Sequence, residues 1–301
     1  MSTNFVPGTL RERITHISRQ ALASGALHSL PTTYEFVEQK GVRFVVRRLA
    51  VLERKAEARR QQAEKKTLQG VDFDPFLPYE EDLYVTDLGE KHVCLLNKFN
   101  VFDHHLLIVT RAFEEQEALL NLEDFAALAR CMVEFEGLAF YNGGSIAGAS
   151  QRHKHLQYVP LPLSSEGPAI PTAPLIQEAL EPGKATKVAL PFLCVVAPLS
   201  TTFVEPLSTI AEQLHATYLS LFESLRLRTT SLHQPVPYNL LATRNWMMLV
   251  PRSQEHYETI SVNALGFAGS LFVRNQADMD FLRAAGPMRV LQEVGVVPGV
   301  K

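Results

Sequence analysis

The chain runs to 301 residues, 46% of them hydrophobic, enough for one large buried core or two closely joined ones. A formal net charge of −3 excludes a global basic field that would draw the whole molecule to DNA or RNA, so an anionic ligand needs a local basic pocket. The cysteines Cys94, Cys131 and Cys194 are scattered and form no CxxC pair, which excludes a zinc ribbon and a disulfide framework.

The cysteines read as small buried apolar residues in a reducing compartment. The N-terminus lacks a signal-peptide core, and no apolar run is long enough to span a bilayer. The expectation is a soluble, cytoplasmic protein with neither nucleic-acid nor membrane partners.

Thr9 and Glu12 have capping-box spacing, and Leu10, Ile14, Ile17 and Ala21 follow at helical intervals, predicting a helix over 9–25. Val42–Val46 is β-branched and aromatic and predicts a strand. Residues 53–66 mix both charge signs and read as a solvated face, and the proline- and acid-rich 72–82 as an irregular connection. Val93–Leu96 and Leu106–Val109 are short apolar runs that predict buried strands.

Asn121 can cap a helix with Leu122, Phe125, Leu128, Met132 and Phe135 on one face, ending near Tyr141-Asn142-Gly143-Gly144. The unit reads as strand, strand, helix, glycine turn, strand. Residues 161–187 are rich in proline and small residues and form the best linker candidate. Beyond it, Phe192–Val196 predicts a strand, and Thr209 with Glu212 a second capped helix carrying Ile210, Leu214, Leu221 and Leu225. Tyr238–Ala242 and Trp246–Pro251 predict a strand pair, so the second part loosely echoes the first.

Gly148-Ala149-Ser150-Gln151 leads directly into His153-x-His155-x-Gln157. Alternation along a strand sends His153, His155 and Gln157 to one face, and Lys154, Leu156 and Tyr158 to the other. Backbone N–H groups in the glycine-containing turn can form an anion nest, with the Ser150 hydroxyl and Gln151 amide adding donors. An imidazole beside such a nest is equipped to attack nucleotide phosphorus. Metal ligation by the His pair is the rival reading, but no third or fourth ligand sits nearby in sequence. A merely structural His pair is the other. No GxxxxGK[ST] loop and no GxSxG elbow is present, which excludes a P-loop enzyme and an elbow-type esterase.

The run Gly148–Gln157 resembles the signature of the diadenosine tetraphosphate phosphorylases (ATP adenylyltransferases) of the histidine-triad superfamily, in which this branch carries glutamine where the hydrolases carry the last histidine. Leu52-Glu53-Arg54-Lys55, Leu96-Asn97-Lys98-Phe99, Leu107–Thr110, Tyr238–Leu241, Trp246–Arg252 and Leu265–Gly269 are similar to further family segments, so the likeness spans about residues 40–285. Arg152, Ser145-Ile146-Ala147 and Asn100 depart from the family pattern without removing a group the chemistry needs.

The resemblance implies an α+β fold, a histidine-triad-like antiparallel sheet with flanking helices, in two related halves. It implies a catalytic domain over 1–165 and a C-terminal ATP adenylyltransferase-type domain over 185–301. His155 is implied as nucleophile, with Gln157 and His153 completing the catalytic set. Lys55, Asn97, Lys98, Asn142, Gly148, Ala149, Ser150 and Gln151 are implied to bind substrate, and Asn239, Thr243, Met247 and Arg252 are candidates for a second nucleotide or phosphate site. Trp246 and Met247 read equally well as core. The implied partners are diadenosine tetraphosphate, ATP, ADP and inorganic phosphate. No tightly bound cofactor and no protein-held metal is expected, with Mg²⁺ as a companion of the nucleotide. A nucleotide-sugar uridylyltransferase-like enzyme and a non-catalytic diadenosine polyphosphate-binding protein are the alternatives.

Overall fold

The computed structural model describes residues 6–49, 74–199, 202–204, 206–227 and 233–298. Lys55 and the mixed-charge run around it lie outside the described residues. In chain order, helix α1 (Leu10–Ser24) precedes a hairpin of β1 (Thr32–Gln39) and β2 (Val42–Leu49). Next come β3 (Tyr84–Asp87), β4 (His92–Leu96), β5 (Leu106–Thr110), α2 (Leu122–Glu134), β6 (Gly137–Gly143) and β7 (His155–Pro160). The second part holds α3 (Ala173–Ala179), β8 (Thr186–Lys187), β9 (Val195–Pro198), α4 (Leu207–Ser224), β10 (Tyr238–Ala242) and β11 (Trp246–Pro251). It ends with β12 (His256–Tyr257), β13 (Ile260–Ser261), α5 (Ala264–Phe267), β14 (Ser270–Val273), α6 (Gln276–Ala285) and α7 (Pro287–Val294).

Nine strands form one antiparallel sheet in the order β3-β4-β5-β7-β6-β10-β11-β9-β8. The order reads alike from either side of the β6–β10 seam, where Asn142 lies opposite Asn239. On each side the chain makes two strands, a helix (α2 or α4) and two more strands, with β3 as an additional strand at one edge. The fold is therefore α+β with two related halves joined through one sheet.

Each sheet face buries a different set of side chains. Leu106, Ile108, Ala139, Tyr141, Leu156, Tyr158, Leu240, Met247 and Leu249 pack in a core with residues of α1, α2 and α4. On the other face Leu138, Phe140, Val159, Leu241, Met248 and Val250 pack with Val42, Phe44 and Val46 of the small β1-β2-β14 sheet and with α5 to α7. Beyond β7, towards the β3 edge, that second face carries, among the described residues, a small cluster of Phe76, Val93, Leu95, Leu107 and Val109. The candidate site lies where this cluster meets the β7 strand.

Most predicted elements are present, and the differences have local causes. The helix after Asn121 stops at Glu134, and Gly137–Gly143 is the central strand β6, where a continued helix was expected. Every residue of β6 is buried, with Leu138 and Phe140 in one core and Ala139 and Tyr141 in the other. A strand buried on both faces shows no alternation, so its apolar run does not differ from a helix by periodicity. Asn121 does cap α2, in a reciprocal box with Asp124.

The boxes expected at Thr9 and Thr209 do not form. Thr9 Oγ1 donates to Val6 O instead, and α4 already starts at Leu207 behind Pro206. The candidate linker 161–187 contains α3 and β8. Among the described residues no helix is long and apolar enough to cross a membrane.

Candidate active site

The alternation expected for His153 to Tyr158 is the one observed. His155 lies opposite Val109 on the face of the Phe76 cluster, while Leu156 and Tyr158 enter the helix-covered core. Phe76 packs against both imidazoles, with ring centroids 5.6 Å from His153 and 5.4 Å from His155. A cavity of about 380 Å³ opens beside Phe76 and Thr110.

His155 is 5% exposed, and its Nδ1 lies 2.8 Å from the His153 carbonyl oxygen. A carbonyl only accepts, so Nδ1 carries the proton and the Nε2 lone pair is left for an electrophile. Burial, opposed by that carbonyl bond, pushes the imidazole down to about 4. The ring is thus neutral across the physiological range, the state a nucleophile requires. We expect the rate of nucleotide transfer to His155 to stay flat from about pH 8 to about pH 5.5 and to fall only near pH 4. A single-turnover pH profile with its acid limb near 6.5, the ordinary histidine value, would contradict this.

Gln157 is oriented by a relay that the strand pattern alone did not reveal. Asn97 Oδ1 accepts from Phe99 N (3.3 Å), which turns its Nδ2 towards His105 Nδ1 (3.1 Å). His105 then carries its proton on Nε2 and donates to Gln157 Oε1 (2.9 Å). That leaves the Gln157 NH₂ as a donor with no protein acceptor among the described residues. His105 shares the parity of Leu107, which lies opposite Gln157, so extending the β5 strand pattern by one residue would have found it. Asn97 stands behind His105. Lys98, the other candidate there, pairs with Glu80 at 2.6 Å.

His153 is buried with an acceptor at each ring nitrogen. Nδ1 lies 2.7 Å from Asp74 Oδ2, and Nε2 lies 2.7 Å from the Thr110 carbonyl and 2.9 Å from its hydroxyl. This clamps the residue whose carbonyl holds the His155 tautomer. Arg152, which departs from the family pattern, pairs with Glu115 at 2.5 Å.

The glycine turn is built differently from a simple nest. Gly144 and Gly148 have φ of +84° and +88°, and a Cβ at Gly148 would lie 2.8 Å from the Val262 carbonyl oxygen, so only glycine fits. The N–H groups of Ala147, Gly148 and Ala149 are consumed inside the turn, on Gly144 O and Ser145 O. Gly148 and Ala149 therefore shape the turn and offer no N–H to an anion. Among the described residues of the turn, the N–H groups of Ser150 and Gln151, like those of Ser145 and Ile146, have no protein acceptor.

Asn239 and Arg252 hold this turn from the second half. Asn239 Nδ2 donates to Ala147 O and to Asn142 Oδ1, both at 2.8 Å. Arg252 Nη1 donates to Asn239 Oδ1 (2.6 Å), Val262 O (2.8 Å) and Ala147 O (3.2 Å). Its remaining donors are taken by Val294, Gln254 and Glu255 carbonyls, and burial lowers the guanidinium to about 10. The sequence leaves Arg252 either to grip phosphate or to sit solvated at the sheet's edge; in this structure all its N–H groups are spent on protein acceptors. Asn142 Oδ1 accepts from Asn239 and from Ala264 N, leaving its NH₂ without a protein acceptor among the described residues.

The structure does not bring Thr243 or Met247 to the cleft. Thr243 Oγ1 accepts from Asn245 N (3.1 Å) and Trp246 N (3.3 Å) in the β10–β11 turn, at the far end of β10 from Asn239. Met247 is fully buried in the helix-covered core, on the sheet face opposite His155. It follows Trp246, whose side chain is on the other face, so alternation separates the two candidates.

A model described as the Ap4A phosphorylase N-terminal domain matches residues 1–178, and one described as the ATP adenylyltransferase C-terminal domain matches residues 188–297. The chain is similar to diadenosine 5',5'''-P1,P4-tetraphosphate phosphorylase 2 of Saccharomyces cerevisiae, 28% identical over 238 residues that cover 69% of this chain and 71% of that protein. It is also similar to the Saccharomyces cerevisiae protein named Protein APA1, 25% identical over 223 residues, covering 66% and 67% of the two chains. In three dimensions it is similar to the crystal structure of yeast Ap4A phosphorylase Apa2, with a TM-score of 0.75 at 23% identity over 97% of this chain and 99% of that one. The complex of Apa2 with Ap4A gives 0.76 at 22% identity over the same shares. At such identities the structural likeness speaks for the fold. With more than half of its length matched by the first domain and most of the rest by the second, the chain belongs to the family that joins the Ap4A phosphorylase N-terminal domain to the ATP adenylyltransferase C-terminal domain.

Proposed function

We propose that this protein phosphorolyses diadenosine tetraphosphate (Ap4A) to ATP and ADP through an adenylyl-histidine intermediate on His155. The observation that carries the reading is the buried, neutral His155, whose Nδ1 proton is held by the His153 carbonyl and whose Nε2 has no protein partner among the described residues. In the first step Nε2 forms a bond to an α-phosphorus, the P–O bond to the rest of the dinucleotide breaks, and ATP leaves. In the second, an oxygen of inorganic phosphate attacks the same phosphorus, the N–P bond breaks, and ADP leaves with His155 restored.

The NH₂ groups of Gln157 and Asn142 and the open donors of Ser150 and Gln151 support this chemistry by stabilising charge on the transferring phosphoryl group, the effect on which phosphoryl transfer depends most. A glutamine at 157 relays no proton to water, which favours phosphate over water as acceptor. Mg²⁺ enters this reading as a companion of the polyphosphate, held by phosphate oxygens. The free, buried Cys94, Cys131 and Cys194 suit a reducing, cytoplasmic setting.

Incubation with Ap4A, with and without inorganic phosphate, tests the proposal. ATP and ADP are expected only when phosphate is present, with net retention of configuration at phosphorus from two in-line displacements. ATP and AMP formed without phosphate would make the protein a hydrolase and sink the reading.

A further inference from the structure

Nothing in the sequence singles out Gln116, yet its side chain stands at the neck of the turn that leads to His155. Strand β6 stays paired with β10 as far as Gly143, and β7 stays paired with β5 as far as His155. The ladder between β6 and β7, however, stops at Phe140 opposite Gln157. In an antiparallel pair the next hydrogen-bonded rung would join His155 to Asn142 directly. The Gln116 amide takes that place. Its Oε1 accepts from His155 N at 2.8 Å, while its Nε2 donates to Asn142 O at 2.9 Å and to His155 O at 3.2 Å.

The insertion is itself fixed. Gln116 N donates to Arg152 O at 2.6 Å, and Tyr141 Oη donates to Gln116 O. At 2% exposure the residue has no surface to offer a substrate. What it does is hold two strands, otherwise about 4.8 Å apart, at a separation wider by an amide group. The widening falls between the nucleophile's backbone and Asn142, at the base of the loop that carries Ser150 and Gln151.

We propose that Gln116 is a positioning residue for nucleotide transfer, its amide replacing one ladder rung so that His155 stands apart from Asn142 and a phosphoryl group can enter between them. The inference rests on the adenylyl-transfer reading of His155. Without the amide the two strands close on each other, or the His155 N–H and the Asn142 carbonyl are left unpaired. Either outcome moves the imidazole relative to the donors of the turn.

The test compares full-length Gln116→Ala and Gln116→Glu with the unaltered protein in single-turnover adenylylation from Ap4A. Gln116→Ala is expected to slow formation of the adenylyl-enzyme about 100-fold, with nucleotide affinity changed less than about threefold. Gln116→Glu keeps the size and the acceptor but carries the donor only when its carboxyl is protonated, so it holds the test should the alanine variant not fold. It is expected to be slow at about pH 8 and to regain at least about tenfold by about pH 5.5. The unaltered protein, measured alongside, accounts for titration of the neighbouring Tyr141, Arg152, Glu115, Glu117, His153 and His155. Hydrogen exchange at the His155 amide, expected to change at least about tenfold in Gln116→Ala, reads the insertion independently of turnover.

Rates within about threefold of the unaltered protein in both variants would overturn the proposal. So would an equal loss of rate and nucleotide affinity in Gln116→Ala, or an unaltered pH profile in Gln116→Glu. An unaltered protein that forms no adenylyl-enzyme would overturn the functional reading instead, while a changed His155 amide exchange would still establish the strand insertion.

Discussion

Replacing His155 by alanine is expected to lower phosphorolysis of Ap4A by about 10⁴-fold or more while leaving nucleotide affinity within about threefold. The asymmetry follows from the geometry. In the proposed mechanism the imidazole supplies the atom that bonds to phosphorus, whereas the donors that would hold the phosphate chain belong to Ser150, Gln151, Gln157 and Asn142. The variant retains the whole Asn97–His105–Gln157 relay, so Gln157 keeps its orientation. Incubation with Ap4A labelled at the α-phosphate, followed by denaturation at neutral pH, should show an acid-labile adenylyl adduct on the unaltered protein and none on the variant. Retention of more than about a hundredth of the activity would show that another group attacks phosphorus.

The second large effect is on stability and concerns the residue between the two histidines. Lys154 is fully buried behind the strand, with Nζ 2.6 Å from Asp124 Oδ2, 3.0 Å from Leu119 O and 3.1 Å from Glu114 Oε2. His92 lies 2.8 Å from the other Asp124 oxygen, and Asp124 also closes the cap of α2. Burial pushes the Asp124 carboxyl up, but the His92 hydrogen bond and the Lys154 charge outweigh it and hold it below its usual value. Lys154→Met fills the space yet leaves this buried carboxylate short of its cation, a cost of about 3–5 kcal/mol.

For a chain of this size that corresponds to a fall in Tm on the order of 10 °C. The sign with pH is definite. A depressed carboxyl adds stability above its unfolded pKa and loses it as pH falls through the folded value. The penalty in Lys154→Met should therefore be full near neutrality and shrink in acid, as Asp124 takes up a proton. A Tm difference under about 2 °C at neutral pH would mean that the pair contributes little.

The His-x-His-x-Gln strand was legible because alternation is a property of the backbone alone. Once residues 153–158 are extended, His155 and Lys154 must face opposite ways whatever surrounds them. The Asn121 cap and the apolar face of α2 were legible for the same local reason. Strand β6 was not, because burial on both sides erased the period that would have identified it. The glycine turn is legible in the sequence, but its hydrogen bonding is not. Which N–H groups remain open depends on the turn closing on Gly144 and Ser145 carbonyls.

Arg252 and Asn239 show the same limit from further away. A basic residue at a strand end suggests a phosphate ligand, yet the fold places backbone carbonyls of Ala147, Val262 and Val294 around that guanidinium. The local pattern by itself determined the strand that presents His155 and the glycines that allow the turn, since each depends on stereochemistry within a few residues. Tertiary structure alone decided which polar groups face the cleft and which are spent holding it, because hydrogen-bond saturation is settled between segments far apart in sequence. Gln116 between Asn142 and His155, and Arg252 on Ala147, are the two contacts in which that decision is made.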